Sequence, residues 1–271
     1  MNSLSAEYLS IVIPVFNEEA TLRELVTKVL QVPGLQEVVV VDDCSTDGSA
    51  AIIEDLCRSS ARVRSVRLDK NSGKTAALRK GFSLTRGEVV IVQDADLEYD
   101  PEEIAHVVAP IVRDKADVVY GSRFLAPRAA RVLYFYHYVA NKLLTFFSNA
   151  CTNLNMTDVE TCYKAFRGEI IRNMIITSRG FGAEIEMTAK IAKLKCRVYE
   201  VPISYYGRTY EEGKKITALD GIKAFWYIVR YNLLCSKAAS FISIPVLARI
   251  SSEETVQAGG EKVRARAAGE R

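Results

Sequence analysis

The chain has 271 residues, 49% of them apolar and 25% charged, which excludes a disordered tail protein, a collagen-like repeat and a disulfide-stapled miniprotein. Lys and Arg exceed Asp and Glu only by 36 to 33, so bulk charge argues against a nucleic-acid-coating protein. The six cysteines (44, 57, 151, 162, 196 and 235) form no CxxC pair and no metal-ligand spacing, and read as reduced, mostly buried thiols of a cytoplasmic protein.

The first ten residues are polar and lack the apolar core of a secretory leader. Short apolar, β-branched runs at 10–16, 37–42, 63–68, 88–94 and 117–121 then predict strands buried on both faces. Helices are predicted between them. The first, 18–32, puts Leu22, Leu25, Val26 and Val29 on one face, and the second, 47–58, offers Ile52, Ile53 and Leu56. Two more follow at 74–85 and 101–113, the latter with Pro101 at its start and Glu102 and Glu103 in its first turn. Strand–helix alternation of this kind implies an α/β protein with a doubly wound, mainly parallel sheet. Past residue 122 the pattern changes to an aromatic-rich helix at 131–154, shorter helices at 169–176 and 184–192, a strand at 196–205 and an amphipathic helix at 220–234. The late apolar stretch 224–248 is interrupted by Arg230, Lys237 and Pro245, so no spanning helix is expected. Residues 251–271 are rich in Ala, Gly and charge without periodicity and are expected to be disordered.

In doubly wound sheets the ligand sits beyond the carboxyl ends of the strands. Polar and acidic residues gather there: Asn17 and Glu18 after the first run, Asp42 and Asp43 after the second, Gly73 and Lys74 after the third, Asp94 and Asp96 after the fourth. Carboxylates at a strand end suit a hard cation such as Mg2+ or Mn2+ and a sugar hydroxyl. The plainer alternative is capping, by Asp96 or Asp100 ahead of Pro101 and by Asp43, Ser45 or Asp47 ahead of the second helix. No G-x-G-x-x-G follows the first strand and no G-x-x-x-x-G-K-[ST] occurs, so an NAD-type or P-loop site is unsupported.

Taken together, the segments IVIPVFNEE (11–19), VVVDDCSTDGS (39–49), NSGKTAAL (71–78), the DAD triplet with Leu97-Glu98, and Val119-Tyr120-Gly121-Ser122-Arg123 resemble the family 2 glycosyltransferases and their GT-A fold. The GSR element, Val201-Pro202-Ile203 and basic residues near 208–215 resemble the polyprenyl-phosphate branch of that family, typified by dolichol-phosphate mannose synthase. The resemblance implies one domain over 1–235, with a nucleotide-sugar half at 1–121 and an acceptor half at 122–235, followed by an extension over 236–271. It implies that Pro14, Asn17, Glu18, Asp42 and Asp43 line the nucleoside pocket, with Lys74 and Ala95 beside the nucleotide sugar. Asp94, Asp96 and Glu98 would hold the donor's metal, while Arg123, Arg208 and Lys214 or Lys215 would meet phosphates. Asp158 and Glu160 occupy the region where relatives that use a hydroxyl acceptor place a base. His106 and His137 read as packing or surface residues.

The expected activity is inverting transfer of a hexose, mannose or glucose, from a GDP- or UDP-linked sugar to a polyprenyl phosphate. The enzyme would work peripherally at the cytoplasmic membrane face, alone or with a membrane-bound partner subunit. A phosphate monoester is largely a dianion at pH 7 and needs no general base, whereas a hydroxyl acceptor does. Between Lys190 and Lys237 there are ten basic residues against four acids, beside two aromatic amphipathic helices, which suits either an anionic bilayer surface or helices packed on the sheet with a solvated basic face. Three rival readings share these residues: transfer to a hydroxyl of a glycan or glycolipid, a non-catalytic nucleotide-sugar-binding protein, and a nucleotidyltransferase.

Overall fold

The first strand, β1 (Leu9–Val15), carries apolar residues on both faces and is buried along almost its whole length. It lies inside a seven-stranded sheet of the computed structural model, which describes residues 5–125, 131, 132, 134–207 and 218–245. The first half alternates as its periodicity predicts: α1 (Leu22–Val29), β2 (Leu35–Asp42), α2 (Ser49–Ser59), β3 (Val63–Arg67), α3 (Lys74–Leu84), β4 (Val89–Val92), α4 (Ile104–Val112) and β5 (Val118–Ser122). Ile11 and Ile13 face a core with Leu25 of α1, Ile53 of α2 and Val107 of α4. Val12, between them, faces a second core with Leu78 and Phe82 of α3. Period-two alternation thus covers the sheet on both sides and makes the fold three-layered. A 3-10 turn at Pro101–Glu103 precedes α4, and Asp100 caps it by accepting the Glu102 N–H at 3.0 Å.

The second half holds α5 (Phe135–Thr152), β6 (Lys164–Arg167), α6 (Gly168–Asn173), α7 (Ala183–Leu194), β7 (Val198–Pro202) and α8 (Ala218–Leu233). Strand order is β3-β2-β1-β4-β6-β5-β7, all neighbours being parallel except around β6. That strand was not anticipated. It runs antiparallel between β4 and β5, with Ala165 and Phe166 fully buried. The folded unit also continues past 235: Phe241 is buried in the second core and bridges to Met174.

Three expectations need correction or restriction. The cysteines are unpaired as expected but not mostly buried, five being partly covered and Cys151 exposed. Of the ten basic residues counted between 190 and 237, three are tied into the protein rather than offered to a surface. Lys190 is buried on Glu186, Lys193 donates to the carbonyl of Tyr231, and Arg197 is paired with Asp114 and Asp117. The expected tail disorder at 251–271 and the roles of Arg208, Lys214 and Lys215 fall outside the described residues. Among the described residues, no helix is long and apolar enough to cross a membrane.

Candidate active site

The loops after β1 and β2 are fastened to each other. Asn17, in a left-handed conformation (φ 56°) that Asn tolerates, accepts the Thr46 N–H at 2.8 Å and donates its own N–H to Ser45 Oγ at 3.1 Å. The Glu18 N–H donates to Ser49 Oγ at 3.0 Å, and Glu19 accepts the Gly48 N–H at 2.6 Å. Pro14 sits on the edge of β1 that faces β4, two residues beyond the last paired residue, Val12, so its missing N–H leaves no gap in the ladder.

Asp42 and Asp43 are both buried and both engaged. Asp42 accepts from Arg67 and from the Ser45 N–H, each at 2.8 Å. Asp43 accepts the N–H groups of Ser72 (2.8 Å) and Gly73 (2.7 Å), which lead into α3. Gly73 has φ 85°, a conformation in which a side chain would be strained. Two adjacent acids at a strand end thus have their repulsion offset by hydrogen bonds, and they hold the rim in shape.

Lys74 opens α3 and reaches the exit of β4. Its ammonium lies 2.8 Å from Asp94, 3.0 Å from Cys162 Sγ and 3.8 Å from Glu184. Burial disfavours that charge, but Asp94, Cys162 and Glu184 more than reverse the effect and hold its pKa well above the ordinary lysine value. The Ala95 carbonyl accepts from Thr21 Oγ1 at 2.6 Å, which fixes the triplet to the start of α1. Asp96, half-buried, accepts the Glu98 N–H at 3.2 Å across a turn whose central Leu97 has φ 57°. Glu98 in turn accepts the Tyr205 hydroxyl at 2.7 Å. The expected ligand trio of Asp94, Asp96 and Glu98 therefore does not converge. Among the described residues no three His, Cys, Asp or Glu side chains form a metal-binding group.

On the acceptor side, Arg123 and Asp158 form one buried bidentate pair, with Nε and Nη2 at 2.7 and 2.8 Å from the two carboxylate oxygens. Burial pushes the Asp158 carboxyl up, but Arg123 overrides it and keeps the group below its ordinary value. The guanidinium also lies 5.1 Å from the Tyr205 ring centre. Glu160 is different: its Oε1 is buried with no hydrogen-bond partner, as is Oε2 of Glu184. Burial, and then repulsion from Glu184, pushes the Glu160 carboxyl up to about 7. Nearby Lys164 is fully buried and donates to the carbonyls of Val159 and Thr161, and burial lowers its pKa.

The sign of the Glu160 shift fixes its pH effect. Its folded-state value lies above the ordinary 4.5, so the folded protein holds the extra proton between pH 4.5 and about 7. Its contribution to stability is complete below pH 4.5 and is lost as pH rises through 7. Glu160→Gln is therefore expected to gain in stability on the unsubstituted protein as pH rises from 5 to 8. Melting temperatures of the two proteins across that range check this, and a constant difference would show an ordinary carboxyl.

Sequence reasoning located every rim acid but missed Cys162, Glu184 and Tyr205. These reach the site from distant segments: Cys162 and Glu184 follow no predicted strand, and Tyr205, which closes the strand expected at 196–205, carries no charge to mark it. The half-buried His106 and His137 lie on α4 and α5, as the packing reading expected.

A mixed, mainly parallel sheet with an acidic rim at its carboxyl edge defines the GT-A class of glycosyltransferase folds. Solved structures of glucosyl-3-phosphoglycerate synthase from Mycobacterium tuberculosis superpose with this architecture. One, in complex with Mn2+, uridine diphosphate and glucosyl-3-phosphoglycerate, covers 83% of this chain and 80% of its own at a TM-score of 0.64 and 19% identity.

The chain belongs to glycosyl transferase family 2, whose sequence profile matches residues 10–175. It is 34% identical over 180 residues to the undecaprenyl-phosphate 4-deoxy-4-formamido-L-arabinose transferase of Aeromonas hydrophila, covering 65% of this chain and 53% of the relative. It is 28% identical over 232 residues to the undecaprenyl-phosphate mannosyltransferase of Micrococcus luteus, covering 82% of this chain and 93% of that one. The chain thus spans about half the length of the first relative and nearly all of the second.

Proposed function

We propose that this glycosyltransferase moves a hexose, mannose or glucose, from a GDP- or UDP-linked donor to a polyprenyl phosphate, with inversion, at the cytoplasmic face of a membrane. The observation that carries the reading is a juxtaposition. Past β4, Glu98 accepts the Tyr205 hydroxyl, the Tyr205 ring lies 5.1 Å from the Arg123 guanidinium, and Arg123 lies over Phe124 at the edge of an aromatic surface on α5 and α8. Phe124 packs against Tyr138 of α5 with ring centres 5.4 Å apart, and Phe147 against Phe225 of α8 at 5.2 Å. Phe135, Tyr136, Phe146, Trp226, Leu233 and Leu234 stand exposed around them. Exposed apolar area of this extent suits a headgroup-level membrane contact, and the relatives named above act on undecaprenyl phosphate by their names.

The donor would lie along the rim, its nucleoside over the fastened loops of Pro14, Asn17, Glu18, Asp42 and Asp43, its sugar toward Ala95 and Lys74. A divalent cation fits the hard oxygens available. Mg2+ commonly takes one or two carboxylates and completes its shell with substrate phosphate and water, a need that Asp96, with Asp94 as its neighbour, can meet. Bound there, Mg2+ or Mn2+ would supply positive charge against the charge that develops on the departing diphosphate. Asp94 already holds Lys74, so the lysine delivers its ammonium to the same edge. Arg123 uses Nε and Nη2 on Asp158, which would leave Nη1 for the acceptor phosphate. The acceptor phosphate attacks as an anion and requires no base.

A second reading is favoured by one observation. Glu160, buried and poised near neutrality, has the properties of a general base for a hydroxyl acceptor. Radiolabelled GDP-mannose, UDP-glucose and related donors, incubated with Mn2+ and either undecaprenyl phosphate or hydroxyl acceptors, separate the two. The expected result is label in the lipid phosphate, with turnover largely retained in Glu160→Gln. Label only in a hydroxyl acceptor, abolished by that substitution, would establish the second reading. Absence of both transfer and donor hydrolysis would leave a binding protein.

A further inference from the structure

Most cations at this rim are already matched. Lys74 is closed on the carboxylate of Asp94 and Arg123 on that of Asp158. Lys142 of α5 is the exception. Its Nζ donates to one neutral acceptor, the Thr157 carbonyl at 3.2 Å, and lies over the faces of Phe124 (4.2 Å) and Tyr138 (5.6 Å). No carboxylate pairs with it among the described residues. Aromatic faces attract an ammonium without neutralising it, and two of its three N–H donors remain for a ligand. The result is a half-buried, uncompensated positive charge held in a fixed place.

That place is informative. The ring of Phe124 is flanked by two cations, Lys142 at 4.2 Å and Arg123 at 5.7 Å. The Thr157 carbonyl that holds Lys142 immediately precedes Asp158, which holds Arg123. On α5, Tyr138, Lys142 and Phe146 recur every four residues and so share one stripe of the helix, whose two rings are exposed. An anion seated between Lys142 and Arg123 with an apolar chain running along this stripe would meet charge at one end and rings beyond it.

We infer that Lys142 binds the phosphate of the acceptor lipid, with the aromatic stripe of α5 receiving the first units of its isoprenoid chain. This assignment rests on the polyprenyl-phosphate reading above and adds to it the residue that recognises the acceptor. A glycan hydroxyl offers neither the charge nor the apolar chain that the stripe provides for.

Calorimetric titration of the full chain with farnesyl phosphate, farnesol and, separately, UDP or GDP with Mn2+ tests it without turnover. Lys142→Met is expected to weaken farnesyl phosphate binding roughly 10- to 100-fold, the scale of one hydrogen bond to a charged group. Nucleotide binding should be unchanged, which also reports that the variant is folded, and Lys142→Arg should restore most of the loss. In turnover the effect should fall on the KM for undecaprenyl phosphate and not on kcat. Equal farnesyl phosphate affinity in Lys142→Met and the unsubstituted protein would overturn the assignment alone, as would farnesol binding as tightly as its phosphate. Failure of the unsubstituted protein to bind any prenyl phosphate would overturn the polyprenyl-phosphate reading and the assignment together.

Discussion

Asp158→Ala is expected to lower the unfolding free energy by roughly 3–5 kcal/mol, the scale for removing one partner of a buried ion pair. Asp158 is fully buried and its two oxygens take Nε and Nη2 of Arg123 in parallel, with the Arg123 N–H adding a third bond at 3.2 Å. Without the carboxylate, a nearly buried guanidinium has lost the counter-charge that made its burial tolerable. Arg123→Ala should cost a similar amount for the mirror reason, since Asp158 would then be an unpaired buried anion. The double variant Arg123→Ala with Asp158→Ala should lose markedly less than the sum of the two single losses, because it leaves no charge behind. Urea denaturation of the four proteins at pH 7 measures this, and additive losses would show that the pair is not a unit. The consequence for function is direct. A loss of activity in Arg123→Ala does not by itself identify a phosphate contact, and Lys142, which holds no carboxylate, is the cleaner probe of acceptor binding.

The parts of this molecule legible in the sequence are those in which pattern and position are local. Nine of the predicted helices and strands in the first half lie within a few residues of their observed bounds, because each buries a repeating apolar face. The rim acids were legible for the same reason, since every one of them closes a recognisable strand or follows it by a few positions. What the sequence hid is what the chain brings from afar. Cys162 stands 88 residues from Lys74, Tyr205 stands 107 from Glu98, and Glu184 joins Lys74 from the start of α7. Strand β6 was hidden differently. Its four residues, Lys-Ala-Phe-Arg, are too few to show a period, and their burial comes from the strands on either side. The basic excess after residue 190 misled in part, because composition counts a lysine equally whether it faces solvent or, like Lys190, sits buried on Glu186. The aromatic-rich helix expected at 131–154 forms over Phe135–Thr152, but its buried residues are Thr145 and Ser148 and its Phe and Tyr rings stand exposed, which helical periodicity alone does not reveal.

Asp96→Asn should reduce kcat by at least about 100-fold under the proposed assignment, the usual cost of deleting one preorganised electrostatic contact at a reacting centre. Asparagine keeps the shape and retains an oxygen able to accept the Glu98 N–H that Asp96 now accepts at 3.2 Å, so the turn through Leu97 has no reason to open. What is lost is the charge that attracts a cation to the exit of β4. Asp94 is a poorer probe, because its carboxylate also compensates the half-buried Lys74 and its removal would disturb the fold and the chemistry at once. The two effects separate in a titration. With Asp96→Asn, the Mn2+ concentration for half-maximal transfer should rise, melting temperature should stay close to that of the unsubstituted protein, and chelation by EDTA should silence both. Full activity of Asp96→Asn at ordinary Mn2+ concentration would remove Asp96 from the donor site. Activity that survives EDTA in the unsubstituted protein would mean that Lys74 and the arginines alone carry the leaving diphosphate, and the DAD triplet would then be read as a turn.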